Sequence, residues 1–179
     1  MSPILQQLHR DITNSVRGLD ATQTQLRPPS PGDATAEKWS IQQIVDHLCL
    51  TFAATETAIS SRIAKGMPTR ALPSFQQRVA QYVVTNLGLM PGRREAPAPV
   101  TPPVPQQTLC GEDLSAKAAT GLAAIDKLFD EAEVLFGPDR CITHMILGPL
   151  SIHQWRRFHL AHGRHHVHQI LAIRKANHV

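Results

Sequence analysis

The sequence predicts an all-α fold. Apolar residues recur at helical spacing in several long segments, and no segment alternates apolar and polar residues over the length of a strand. Aromatic residues make up only 4% of the chain, which favours aliphatic, alanine-rich helix packing over a β-sandwich. The 179 residues suit a single domain spanning 1–179, long enough to bury a real core.

The first helix opens at Ser2-Pro3, a cap followed by a proline in the first turn. Ile4, Leu5, Leu8, Ile12, Val16 and Leu19 form its stripe. Residues 20–38, with Pro28, Pro29, Pro31 and Gly32, read as a loop. Ser40 and Gln43 form a capping-box pattern that starts the second helix. Ile41, Ile44, Val45, Leu48, Phe52, Ile59 and Ile63 are its apolar stripe, and it fades near Lys65-Gly66. A shorter helix is predicted from Ser74 to about Leu87, with Phe75, Val79, Tyr82 and Val83 inward. Six prolines between Met90 and Gln107 forbid a helix there, and the segment reads as an extended strap lying on the bundle. A helix follows over about 113–136, with Leu114, Leu122, Ile125, Leu128, Phe129, Ala132 and Leu135 as its apolar residues, and Gly137-Pro138 stops it. Residues 139–150 read as a loop, and the last helix runs from Ser151 to about Lys175.

The last helix carries the chemistry. With Trp155 set at zero and about 100° per residue, His162 falls near −20° and His166 near +20°. Both sit in the middle of the core-facing stripe, with Phe158 and Ile173. His159 lies on the same stripe a turn earlier, while His165 and His168 fall progressively off it. An unpaired buried imidazole costs a few kcal/mol, so a centred pair needs a partner. Two histidines at i and i+4 turn their ring nitrogens to one side and can share a metal. The plain alternative is a pair of core histidines bonded to carbonyls or water. A third ligand must come from another helix. His47 leads, beside the small residues Thr51, Ala54 and Ala58, and His144 and His159 are weaker substitutes. His9, His153, His165, His168 and His178 read as mostly solvent-facing. Three neutral imidazoles leave a divalent ion its full charge and open positions, as catalytic sites require. Zinc is the default, and imidazole also suits nickel, iron and copper.

Composition narrows the function classes. The net charge is +4 and is spread out, with Arg93-Arg94 and Arg156-Arg157 among its few adjacent basic pairs. That argues against a nucleic-acid partner. Cys49, Cys110 and Cys141 are far apart and show no CxxC spacing, so reduced thiols and a cytoplasmic location are expected. No apolar run approaches the roughly 20 residues of a membrane span, and no signal peptide is read at the start of the chain.

Two segments resemble the DinB superfamily, also called YfiT-like metal-dependent hydrolases. They are Trp39-Ser40-Ile41 followed by His47-Leu48, and His162-x-x-x-His166-x-x-Gln169-Ile170. The stretch from Gly148 through Trp155 to Phe158 is similar to one branch of that family. The resemblance covers the whole chain in order and spacing. It implies an up-down four-helix bundle with an extra short helix and a proline-rich strap, and His47, His162 and His166 as metal ligands. It also implies a homodimer, for which Leu160, Val167 and Leu171 form a candidate line that equally suits a neighbouring helix. Known activities in the family include transfer and isomerisation with a low-molecular-weight thiol cosubstrate, so the metal here would activate water for hydrolysis, or a small thiol for transfer to an electrophile. On this reading His159 and Thr51 are candidate assisting groups, Asp46 and Cys49 lie nearby without an assigned role, and no general base is assigned. The alternatives are a non-catalytic metal-binding stress-response bundle and a dimeric interaction module without metal.

Overall fold

The computed structural model describes residues 1–29, 38–90, 96–137 and 141–179. The predicted turn residues Pro31, Gly32, Pro91 and Pro138, and the pair Arg93-Arg94, lie outside those residues.

Five helices and one small sheet make up the described chain. Helix α1 (Pro3–Val16) is capped by the Ser2 hydroxyl, which accepts from the Leu5 amide. Helix α2 (Ile41–Ala64) starts at the predicted capping box, in which Ser40 and Gln43 each bond the other's backbone amide. Helix α3 (Phe75–Gln81) is short and continues into a π-helical turn over Tyr82–Asn86. Helix α4 (Gly111–Phe136) ends at Gly137, whose φ of 88° is a left-handed value that glycine tolerates. Helix α5 (Ile152–Asn177) starts at another capping box, Ser151 with Gln154.

Helix α1 packs against α4 and α5, and α2 packs against the same two. Leu8, Ile12, Val45, Leu48, Leu122, Phe129, Trp155 and Ile170 from all four belong to one continuous core. Val167 is buried in that core and Leu160 packs against it, so the second apolar line of α5 is largely used within the chain. Leu171, the last residue of that line, is exposed. Close packing needs glycine at two points. A Cβ on Gly163 would run into the Leu8 side chain, and one on Gly111 into the Val16 carbonyl oxygen.

Two expectations are corrected. Residues 139–150 are not all loop, because Cys141–His144 and Gly148–Ser151 form strands β1 and β2 of an antiparallel hairpin. Ile142 and Leu150, opposite each other, anchor it in the core. Trp155 Nε1 donates to the Ile142 carbonyl at 3.1 Å. His144 is thus at the end of β1, and its Nδ1 accepts from the Ile146 and Leu147 amides, closing the turn.

The second correction concerns α3. Phe75, Val79 and Tyr82 point outward, and the buried residues are Gln81, Val84 and Thr85. The hairpin explains the inversion. Gln81 Nε2 donates to the carbonyls of Leu147 and Pro149 at 2.8 and 2.9 Å, fixing the polar edge of α3 inward.

The proline-rich strap does lie on the bundle. A 3-10 turn at Ala98–Val100 interrupts it, Pro102 is buried, and Gln42 Nε2 donates to the Gln107 carbonyl at 2.9 Å. No helix among the described residues is long and apolar enough to cross a membrane.

Candidate metal centre

Helix α2 brings His47, and α5 brings His162 and His166, to one buried point. One ligand atom from each lies within 4.8 Å of the other two. His162 Nε2 is 3.3 Å from His47 Nε2 and 3.1 Å from His166 Nε2. Two ligands on a tetrahedral zinc ion, each about 2.0–2.1 Å from the metal, are about 3.3–3.4 Å apart. The observed separations therefore match neighbouring ligands of one ion.

The outer nitrogens set the protonation of the rings. His47 Nδ1 lies 2.7 Å from the Val100 carbonyl oxygen in the strap. A carbonyl only accepts, so the proton sits on Nδ1 and the Nε2 lone pair faces the centre. His166 Nδ1 lies 2.8 Å from Gln169 Oε1, and the same amide's nitrogen reaches His165 Nε2 at 3.1 Å. That arrangement likewise turns the His166 Nε2 lone pair inward. His162 Nδ1 is buried without a partner. Its ring can offer a single proton where two lone pairs converge, whereas a cation would satisfy all three inward nitrogens. The residues present thus fit a metal ion.

Electrostatics keep the rings neutral, the state a metal ligand requires. Burial lowers His47, opposed by its bond to Val100. Burial also lowers His162 well below the ordinary value, and the nearby His166 and His47 add to the effect. His166 is pushed down to about 3, chiefly by burial and then by His47. Half-buried Trp39 covers the site, its ring centroid 4.9 Å from that of His47 and 6.4 Å from that of His166.

The other sequence candidates lie elsewhere. His159 is 1% exposed, packed among Phe52, Phe129, Trp155 and Phe158, with its Nε2 3.1 Å from Thr55 Oγ1. It is outside the triad and sealed from solvent, which suits a core role rather than substrate contact. Burial holds it near 3. The Thr51 hydroxyl donates to the His47 carbonyl within its own helix. Asp46 pairs with Lys117 at 2.7 Å, as a surface charge would. Cys49 is half-buried against the core. His144 packs its ring on Trp155 and Phe158, and burial pushes it down to about 4. Of the histidines read as solvent-facing, His153, His168 and His178 are exposed, and His9 and His165 are half-buried.

Sequence reasoning gave three partners no role. Gln169, three residues after His166, was visible as an i, i+3 pair. Thr55 gave no such signal, because its partner His159 belongs to a different helix. Val100 gave no signal, because a backbone carbonyl is independent of side-chain type. A cleft of about 220 Å³ lined by Thr85, Arg157, Leu160 and Arg164, among others, includes none of the three histidines.

No family model, no curated protein and no solved structure matches this chain.

Proposed function

We propose that this chain is a metal-dependent enzyme of the DinB/YfiT-like kind, with His47, His162 and His166 as the ligands of one divalent ion. The convergence of three neutral imidazole nitrogens from two helices carries this reading. Trp39-Ser40-Ile41 at the start of α2 and His162-x-x-x-His166-x-x-Gln169 in α5 support the family assignment. The mutual packing of α1, α2, α4 and α5 supports an up-down four-helix arrangement in a single domain.

Zinc is the proposed ion, with nickel, iron or copper as substitutes of similar ligand preference. When bound, it would act as a Lewis acid on water for hydrolysis, or on a low-molecular-weight thiol for transfer to a small electrophile. The chain's own residues hold three imidazoles neutral and oriented, and exclude water from their outer nitrogens. We place the protein in the cytoplasm, acting on a small molecule. A homodimer, which the family resemblance implies, would give the outward Phe75, Val79 and Tyr82 a partner.

The rival reading is a non-catalytic metal-binding bundle. The enclosure of the site favours it, since the three histidines are 4%, 9% and 7% exposed and Thr51 is occupied within its own helix.

Metal analysis of the purified protein tests the shared premise. About one ion per chain is expected, and His162→Ala should abolish it; unchanged metal in that variant would refute the ligand set. Turnover of thiols with electrophiles, or of hydrolysable substrates, only in the metal-loaded protein would then separate enzyme from binder.

A further inference from the structure

Gln169 holds the choice between two proton arrangements of the triad. Its amide lies between two imidazoles, with Oε1 2.8 Å from His166 Nδ1 and Nε2 3.1 Å from His165 Nε2. An amide has one accepting end and one donating end. With the oxygen toward His166, that ring must carry its proton on Nδ1, and the Nε2 lone pair faces His162 Nε2 at 3.1 Å. With the amide reversed, Nε2 of Gln169 would donate to His166 Nδ1. The His166 proton would then move to Nε2 and point at His162, closing the centre with an internal hydrogen bond.

His165 is the amide's second partner. It is half-buried beside His166, their ring centroids 5.2 Å apart. With its own proton on Nδ1, His165 accepts from the Gln169 nitrogen through Nε2 and holds the oxygen end on His166. Gln169 itself is exposed, and its side chain makes no other hydrogen bond among the described residues. Its two partners are thus both histidines, one inside the triad and one outside it.

We propose that Gln169 is a positioning residue that, braced by His165, fixes the Nδ1–H tautomer of His166 and so sets the affinity of the triad for a divalent cation. A neutral amide also does this without adding charge, so the ligand stays a neutral imidazole and the ion keeps its full charge. A carboxylate in the same place would raise ligand basicity and draw charge from the metal. The affinity claim rests on the proposed metal site; the tautomer claim stands on the metal-free chain alone.

Two measurements test it. In metal-free protein, long-range proton–nitrogen NMR should find the His166 proton on Nδ1. In Gln169→Leu it should move to Nε2 wholly or in large part. Finding it on Nε2 in the unaltered chain, or unmoved in Gln169→Leu, would overturn the proposal even if metal binds well. The second measurement titrates cobalt(II) into each variant, reading the visible bands and competing with a chelator. Gln169→Leu should bind about 10–100-fold more weakly, His165→Leu should fall between it and the unaltered chain, and Gln169→Glu should regain or exceed the original affinity with shifted bands. Thermal unfolding of the metal-free forms should be nearly unchanged, since Gln169 is on the surface. Equal affinities in all four proteins would refute the positioning role while leaving the three-histidine site intact. Failure of the unaltered chain to bind cobalt or zinc would instead refute that site and the affinity claim with it.

Discussion

His47 and Val100, 53 residues apart, share a 2.7 Å hydrogen bond that ties the proline-rich strap to the histidine triad. The imidazole has one nitrogen on the strap and the other at the centre. Anything that withdraws electrons from Nε2, as a cation does, makes Nδ1–H a stronger donor. Strap docking and ion binding should therefore reinforce each other. Hydrogen exchange in residues 97–107 is expected to slow when zinc is added. His47→Phe keeps a ring under Trp39 but removes the donor. An unmet buried group costs about 1–3 kcal/mol, so the strap should open roughly tenfold more often in that variant, with or without zinc. Gln42→Leu removes the bonds to Gln107 and Leu109 and should loosen the strap while leaving the three ligands in place. If zinc slows exchange equally in the core and the strap, the two are not specifically coupled.

The buried histidines make the metal-free protein sensitive to acid. Burial holds His144 at about 4 and His159 at about 3, against an ordinary 6.5. In that interval the unfolded chain binds protons that the folded chain refuses. Stability is therefore complete above about 6.5 and falls as the pH drops towards 3–4, at up to about 1.4 kcal/mol per pH unit for each such residue. Urea midpoints measured from pH 8 to pH 4 should show this decline. His159→Leu should flatten it, and exposed His153→Leu should not. A midpoint independent of pH across this range would contradict the buried, neutral placement.

Helical periodicity made the centre partly legible. His162 and His166 stood on the stripe that also holds Trp155 and Ile173, and all four are buried. His47 stood off the stripe of α2 and is nonetheless 4% exposed, because the strap covers the side that periodicity assigns to solvent. The hairpin was not legible. Cys141–His144 and Gly148–Ser151 are four residues each, too short for an alternation signal, and Pro149 argues against a strand. Missing the hairpin also misdirected α3. Its apolar residues were assigned inward, while the carbonyls that draw Gln81 to the interior belong to Leu147 and Pro149, which periodicity within α3 cannot reveal.

Arg156 and Asp126 form a largely buried ion pair that joins α5 to α4. Arg156 Nε lies 3.3 Å from Asp126 Oδ1, and Glu133 takes another guanidinium nitrogen at 3.0 Å. Asp126 also accepts from the Ser2 amide at 2.6 Å, drawing in the start of α1. Removing the guanidinium leaves that carboxylate only the Ser2 amide and the Met1 ammonium, 3.7 Å away, as partners. Arg156→Met should cost about 3–5 kcal/mol in urea unfolding. Asp130→Asn should cost far less, since Asp130 is mostly exposed. Comparable losses in the two variants would show that Asp126 is not the partner that matters.

Cys49 sits two residues beyond His47, close enough in sequence to invite a role as nucleophile. Its surroundings argue otherwise. Burial pushes its thiol up to about 11, with Lys117 pulling it down and Asp46 pushing it up. Against an ordinary 9.0, this leaves about a hundredfold less thiolate at neutral pH, and the thiolate is the reactive form. In a Cys110→Ser, Cys141→Ser background, iodoacetamide at pH 7.5 should label Cys49 about a hundred times more slowly than a free thiol. Lys117→Met should slow it further, and Asp46→Asn should speed it. Cys49→Ser should leave metal content and any metal-dependent turnover intact. Rapid labelling of Cys49 in the folded chain, or loss of turnover with metal retained in Cys49→Ser, would return this thiol to the chemistry of the site.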